Sequence, residues 1–371
     1  MRASWGLFSK SASVLTVPPR PRAAGFSVQG PRRHRRAGRE RGARWAPGES
    51  ARSRALAQAR RSEASGRDAP PISWRRRGPR RGGEEVPVGE RRHEPVRRTA
   101  TLRDVEISYL DWDGPSPGSP VLLLLHGVMG CAADWSRVAP AFAGEYRVLA
   151  PDQRGHGAST HPAAPGGYAT GDYVGDLEAL TDALGIARFG VLGHGMGGHN
   201  AIGLAARRTN RVPCALANDV QPAPEAGSAR WEEVLGGRDH PVFATVEDYV
   251  AWRRRAVPAA PSALLEEEAG WRLQRRPDGL RAVADVRAAL DWRPDDLWEE
   301  ATGIRCPILY IRGGRSPDLD AATQQRMVMQ TPSARSVSLE LAGHVTYLDR
   351  EEEFIELARA FFAAHMLHVQ N

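Results

Sequence analysis

The stretch FGVLGHGMGGHN, residues 189–200, decides the fold of this chain. Its apolar start predicts a short buried strand, its glycines predict a sharp turn, and residues 201–208 predict a helix. A strand, a tight turn and a helix in direct succession make an elbow that carries one residue at its apex.

The elbow resembles the nucleophile elbow of the α/β-hydrolase superfamily, which reads G-x-S-x-G. Gly193, His194 and residues 196–198 match that pattern, but the apex, where the family carries its serine, is Gly195. The apex backbone of such an elbow is strained, with φ above zero, and glycine adopts this conformation without a steric cost. The resemblance therefore implies the fold and leaves out the usual nucleophile.

The rest of the chain alternates strands with helices, which predicts a mainly parallel, doubly wound sheet. Residues 99–102 and 105–111 predict a hairpin, and residues 121–125, a continuous apolar run, predict a central strand buried on both faces. A helix is expected over residues 135–142. The predicted α/β domain covers residues 98–371.

Residues 222–300 lack strand alternation and predict several helices, which the resemblance implies form a cap over the site. Five tryptophans in this segment indicate an apolar lid, although packing between cap helices accounts better for any single one of them. The expected lining of the pocket is His126, Gly127, Met129, His194, Trp231 and Trp252.

Two more motifs extend the resemblance on the amino-terminal side of the elbow. His126 and Gly127 follow the central strand, and in the family the next backbone N–H, here that of Val128, forms half of an oxyanion hole with the N–H after the apex, here that of Met196. Residues 152–157, DQRGHG, match a family loop beside the site, which we interpret as structural.

The remaining triad positions are partly recognisable. His344, in the run Ala342-Gly343-His344 after the last predicted strand, matches the catalytic histidine of the family. For the acid, Asp318 is preferred, although it is displaced by one position and preceded by a proline; Asp219, at the end of the strand after the elbow, is the alternative. The glycine at the apex and the displaced acid are two departures from the family pattern, which argues against a single accidental mutation. An inactivated or engineered hydrolase remains an alternative.

A base and an oxyanion hole without a nucleophile suit the removal of a proton α to a carbonyl group. The leading hypothesis is a cofactor-independent epimerase or isomerase acting on a carbonyl or peptide substrate, because serine-less members of the fold catalyse such reactions in natural-product pathways. The alternatives are a non-catalytic ligand-binding protein and a hydrolase that uses water activated by His344. Cys131 is a weaker candidate nucleophile, because it lies off the elbow.

Composition sets the amino-terminal segment apart. Residues 1–97 are rich in Arg, Gly and Pro and predict a disordered basic arm, or a misassigned start, since Lys10 is the only lysine and such usage is typical of a high-GC genome. This arm carries much of the net charge of +7 and the pI of about 9.8. RNA binding and mitochondrial targeting are the alternatives for this arm.

The other classes of site are not indicated. Cys131, Cys214 and Cys306 show no disulfide or zinc spacing, and the glycines of the elbow lack the Lys-Ser/Thr of a phosphate loop. We therefore expect no metal, no cofactor, no nucleic acid and no membrane partner. A small-molecule or peptide substrate and a cytoplasmic location are expected, and the sequence does not predict the oligomeric state.

Overall fold

A computed structural model describes residues 94–163, 166–224, 228–237, 239 and 241–366, with the backbone alone for residues 228–230. The first strand begins at Val96, two residues before the predicted start of the domain. The predicted arm therefore lies outside the described residues, apart from residues 94–97, of which Val96 and Arg97 belong to the sheet.

The strands of the described residues form two sheets. They are β1 (Val96–Leu102), β2 (Val105–Trp112), β3 (Val121–Leu125), β4 (Arg147–Pro151), β5 (Phe189–His194), β6 (Ala215–Asn218), β7 (Val242–Phe243), β8 (Leu273–Arg276), β9 (Gly279–Ala282), β10 (Ile308–Gly313) and β11 (Ala334–Leu339). The larger sheet has the order β1-β2-β4-β3-β5-β6-β10-β11. Only the β1–β2 and β2–β4 pairs are antiparallel, which confirms the mainly parallel sheet.

Helices cover both faces of this sheet and separate its parallel strands. They are α1 (Thr170–Ala183), α2 (Met196–Arg207), α3 (Ser228–Leu235), α4 (Val246–Arg253), α5 (Ser262–Arg272), α6 (Arg287–Leu290), α7 (Trp298–Ala301), α8 (Ala321–Gln330), α9 (Thr346–Asp349) and α10 (Glu351–Met366). One core lies on each face, as a doubly wound sheet requires. No helix in the described part of the chain is long and apolar enough to cross a bilayer.

The predicted helix over residues 135–142 is wrong. Two short 3₁₀ helices, Ala132–Trp135 and Ala139–Ala141, stand in its place. Pro140 lies within the second of them, and proline has no N–H to donate to a preceding turn, so a continuous α-helix cannot form here.

The predicted cap helices are present, although they do not make up the whole cap. The segment holds α3 to α6, but it also holds the small antiparallel sheet β7-β9-β8. Pro277 and Asp278 connect β8 to β9, and Gly279 follows them with φ of +140°. The run Pro-Asp-Gly between two strands is a turn signal with a physical basis, and it was available in the sequence.

The functional part of the fold is the carboxyl edge of the parallel strands. Leu125 of β3 pairs with Gly193 of β5, and His194 pairs with Asn218 of β6, so these three strands end level with one another. The loops that follow them therefore meet at one edge, where open α/β sheets place their ligands.

Candidate active site

The apex of the elbow has the conformation that the sequence predicts. Gly195 has φ of +52° and ψ of −119°, and its N–H donates to the carbonyl oxygen of Asn218 at 3.0 Å. An ideal Cβ on Gly197 would lie 2.2 Å from the carbonyl oxygen of Leu125, so helix α2 packs on the sheet as closely as only glycine permits. The turn thus keeps the tight geometry of an elbow while carrying no side chain at its apex.

His344 faces this apex. An ideal Cβ placed on Gly195 would lie 3.4 Å from Nε2 of His344. A hydroxyl group on such a Cβ would come within hydrogen-bond distance of the imidazole, which is the relation between nucleophile and base in a serine triad. The structure therefore brings the predicted histidine to the predicted position, opposite an apex that carries no hydroxyl.

Two carboxylates hold the other nitrogen of His344. Nδ1 lies 2.8 Å from Oδ2 of Asp219 and 3.1 Å from Oδ2 of Asp318. Both candidate acids therefore reach the histidine, and the sequence-based preference for Asp318 is reversed by distance. Asp318 reaches His344 although it is displaced by one position from the family pattern, because its loop folds back. The N–H of Asp318 donates to Oγ of Ser316, and the Ser316 hydroxyl donates to Asp219.

Asp219 is the more firmly held of the two acids. Its side chain is fully buried, and its Oδ1 accepts the N–H of Gly313 at 2.8 Å. Its φ of +50° is unusual for a residue with a side chain, although aspartate tolerates this region better than most. Together the two carboxylates fix the orientation of the imidazole ring.

The same three side chains also present a possible set of metal ligands. One ligand atom from each of Asp219, Asp318 and His344 lies within 4.8 Å of the other two. A cation bound there would take the Nδ1 of His344 that now faces the carboxylates, so metal binding and the triad-like arrangement exclude each other. Inhibition of the enzyme by added divalent cations would indicate that a metal ion binds to these three side chains.

The predicted oxyanion hole lies beside the apex. Cα of Gly127 is 3.8 Å from the ideal Cβ position on Gly195, and Met196 is the first residue of helix α2. Among the described residues, the N–H groups of Val128 and Met196 have no hydrogen-bond acceptor. Two such donors, one of them at a helix amino terminus, are suited to a negative oxygen.

The loop that carries Val128 is fixed from within the sheet domain. His126 accepts the N–H of Gln153 at Nε2 and donates from Nδ1 to the carbonyl oxygen of Gly127. Met129, with φ of +60°, donates its N–H to Nε2 of His156 at 3.2 Å. His126 therefore supports this loop through its two hydrogen bonds, whereas the sequence predicts it in the pocket lining.

Apolar side chains of the cap pack over this loop. One buried cluster joins Met129 to Leu235, Val286 and Leu290, with Trp231 against it, and a second joins Met196 to Trp292. Trp252 lies elsewhere, because it packs inside the cap at 5.5 Å from the ring of Phe243. Trp231 therefore fits the predicted apolar lid and Trp252 does not. Trp292, one of the five tryptophans of this segment, also fits it, although it was left out of the expected pocket lining.

His194 completes the surroundings of the histidine. Its ring centroid lies 4.5 Å from that of His344, and its Nε2 donates to the carbonyl oxygen of His344 at 3.1 Å. Burial lowers the pKa of His194 well below its usual value, so this ring stays neutral and positions the backbone of the base.

Residues 120–351 match the family described as alpha/beta hydrolase fold. The chain belongs to this family. It is 29% identical over 282 residues to a 3-hydroxybutyrate-oligomer hydrolase of Cupriavidus necator, covering 69% of this chain and 92% of that protein. It is 27% identical over 249 residues to a 2-(acetamidomethylene)succinate hydrolase of Mesorhizobium japonicum, covering 65% and 88%.

Solved structures agree with the family. The crystal structure of E-2-(acetamidomethylene)succinate hydrolase superposes with a TM-score of 0.66 at 23% identity, covering 72% of this chain and 99% of that one. At this identity the likeness shows the fold alone. An α/β hydrolase from Novosphingobium aromaticivorans superposes with a TM-score of 0.64 at 26% identity, covering 72% and 97%.

In this α/β-hydrolase domain, a buried ion network ties the cap to the loop after β3. This loop carries Val128 and Met129 and is called the oxyanion loop below. Arg272, at the end of α5, donates to Asp134 at 2.6 and 2.9 Å and to the carbonyl oxygen of Met129 at 3.3 Å. Glu268 bridges Arg272 to Arg253. Burial alone would raise the pKa of Glu268, but the two guanidinium groups lower it, so the network holds two anions and two cations.

Removing Arg272 is therefore expected to destabilise the domain. Arg272→Met leaves Asp134 buried without its partner, which costs about 3–5 kcal/mol of the free energy of unfolding. Urea denaturation measures this loss. Arg208→Met is the matched control, since Arg208 pairs with Glu178 at the surface and its loss costs less than about 1 kcal/mol. Equal losses in the two variants would contradict the assignment of a buried network.

Four buried histidines make the hydrolase domain sensitive to acid. Burial lowers the pKa of His126, His156, His194 and His199, and that of His199 falls to about 4. His126 and His156 each accept a backbone N–H at Nε2, so protonating either ring breaks a hydrogen bond that supports the oxyanion loop.

The free energy of unfolding is therefore expected to fall as the pH drops below about 6.5, because these four histidines take up protons there in the unfolded chain and not in the folded one. Each histidine contributes roughly 1.4 kcal/mol per pH unit between its unfolded and folded pKa values. Denaturant titrations from pH 7.5 to 5.5, above the range where carboxylates titrate, measure this slope. A flat profile would contradict it, and His199→Gln should make the slope shallower by one histidine's share.

Proposed function

We propose that this protein is a serine-independent α/β-hydrolase-fold enzyme in which His344 acts directly on the substrate as a general base. The observation that carries the proposal is the position of Nε2 of His344, 3.4 Å from an ideal Cβ on Gly195. In a serine hydrolase this nitrogen faces a hydroxyl group. Here residue 195 carries no side chain to face it, and a C–H of the substrate or a water molecule takes the place of the hydroxyl.

The proposed reaction is proton transfer α to a carbonyl group. Nε2 of His344 takes the α proton, the C–H electrons form an enolate, and the negative oxygen accepts hydrogen bonds from the N–H groups of Val128 and Met196. Asp219 and Asp318 stabilise the imidazolium. If the substrate is a β,γ-unsaturated carbonyl compound, returning the proton to the γ carbon of the dienolate gives the conjugated isomer, whereas epimerisation returns a proton to the α carbon and needs a donor on the opposite face of the enolate.

The substrate class follows from the surroundings of the apex. Met129, Leu235, Val286 and Leu290 form an apolar roof, which favours a carbonyl compound or a peptide with an apolar group beside the reacting carbon. No group in the proposed reaction requires a metal or an organic cofactor.

Solvent exchange tests the proposal. The purified protein is incubated in deuterated water with a panel of carbonyl compounds and peptides, and the products are analysed by mass spectrometry, with His344→Gln as the control. One deuterium gained without cleavage, and lost in the control, is the expected result. Tight binding of a ligand with no exchange and no cleavage would instead support a binding protein.

Hydrolysis by an activated water is the second candidate. It is favoured by the hydrolase relatives at 27–29% identity and by the absence of a side chain on Gly195, since a water molecule can then take the place of the serine hydroxyl. In the same panel this candidate predicts cleavage of esters or amides that depends on His344. Cleavage without deuterium at the α carbon would select it over proton transfer.

A further inference from the structure

A cleft of about 470 Å³ lies between the sheet domain and the β8–β9 hairpin of the cap. Its walls come from β1, from the loops after β3 and β4, and from the end of α5 with the hairpin. The lining residues that matter below are Arg97, Cys131, Asp152, Trp271, Arg276 and Arg281. Gly195, His344 and Asp219 do not line it, so it is a different cavity from the candidate active site.

The hairpin turns a cationic face to this cleft. Gln274 pairs with Arg281 across the two strands, and Arg276 lies two residues further along β8, so these three side chains share one face. The opposite face carries Arg275 and Leu280, and Leu280 is buried inside the cap. The strand alternation therefore separates Arg276, which lines the cleft, from Arg275, which does not.

The sheet domain adds one cation and one anion to the lining, and the two are paired with each other. Nη1 of Arg97 donates at 2.7 Å to Asp152 and at 2.7 Å to Ser108. Asp152 is the only carboxylate in the described lining, and it also accepts the N–H groups of Ala132 and Ala158. Its charge is therefore already compensated.

The remaining lining sets the size and polarity of a ligand. Trp271, Cys131, Ala133 and residues 282–284 give the cleft apolar walls beneath the cationic rim. Asp278 offsets Arg281 at the surface, but no ion pair between Arg276 and another described residue is present. A volume near 470 Å³ falls in the range of small-molecule sites.

We propose that this cleft binds a small molecule that carries one phosphate or carboxylate group on an apolar body. The anionic group lies against Arg276 and Arg97, and the apolar body lies against Trp271. This site is independent of the reaction proposed for His344, and its occupant contacts the loop after β3 at Cys131.

Calorimetric titration of the full-length protein at low salt tests the site. The probes are phenyl phosphate and phenylacetate, which separate a phosphate from a carboxylate preference, with benzyl alcohol as the uncharged counterpart. Arg276→Glu is compared with Arg275→Glu, because both variants change the net charge equally on the same strand but on opposite faces of the hairpin.

At least one anionic probe is expected to bind, and benzyl alcohol is expected to bind more weakly. Arg276→Glu should weaken that binding about tenfold or more, while Arg275→Glu changes it by less than about twofold. Equal weakening in both variants would show that net charge and not the cleft attracts the probe, and would overturn the proposal. Failure of both anions to bind below about 5 mM would overturn it as well.

Discussion

Gly195→Ser is expected to turn the protein into an esterase that cleaves activated esters about a hundredfold or more faster than the wild type. The new Cβ lies 3.4 Å from Nε2 of His344, so the hydroxyl can donate to the imidazole and attack a carbonyl carbon. The N–H groups of Val128 and Met196 then receive the oxyanion. Steady-state hydrolysis of p-nitrophenyl esters measures the gain.

Gly195→Ala is the matched control for this gain. Any side chain at φ of +52° costs about 1–2 kcal/mol, and alanine incurs the same cost without supplying the hydroxyl. Both variants should therefore lose similar stability, while only the serine variant gains activity. Equal rates of ester hydrolysis by the two variants would mean that the hydrolysis does not depend on the serine hydroxyl. The geometry of the elbow and His344 would then not support nucleophilic catalysis.

The second large effect concerns the two carboxylates. In the Gly195→Ser background, Asp219→Asn combined with Asp318→Asn is expected to lower ester hydrolysis about a thousandfold. The amide groups keep the shape of the site but no longer stabilise the imidazolium. Activity is read by the same ester assay, and thermal unfolding checks that the domain stays folded.

The single variants separate the two acids. Asp219 is fully buried and lies 2.8 Å from Nδ1 of His344, whereas Asp318 lies 3.1 Å away and is partly exposed. Asp219→Asn alone should therefore lower activity more than Asp318→Asn alone. The opposite order would restore the assignment that the sequence favoured, and no loss in the double variant would contradict the role of both.

The elbow and His344 could be predicted because their geometry is local. Residues 189–200 contain the strand, the turn and the helix in direct succession, and glycine at the apex adopts the strained conformation without a steric cost. His344 follows the last strand of a sheet whose order the alternation of elements already implies. A short sequence motif is sufficient to predict a site residue wherever the backbone of a few neighbouring residues sets the position of that residue.

The acid could not be assigned from the sequence, because its position depends on three loops that meet only in the folded chain. Asp318 is out of register with the family pattern, yet Ser316 and Pro317 shape a loop that returns it to His344. The prediction that Trp252 lines the pocket is wrong for a similar reason. Its environment is decided by Phe243 and the small cap sheet, and neither is marked by periodicity.

The most direct test of the account is intact-protein mass spectrometry after treatment with a fluorophosphonate, which reacts covalently with activated serine nucleophiles and requires no knowledge of the substrate. Gly195→Ser should gain one adduct, on residue 195, and should lose most of its labelling rate when His344→Gln is added. Wild type and Gly195→Ala should remain unlabelled. An unlabelled Gly195→Ser would contradict the poised geometry of His344, and a labelled wild type would reveal a nucleophile and contradict a mechanism that works without one.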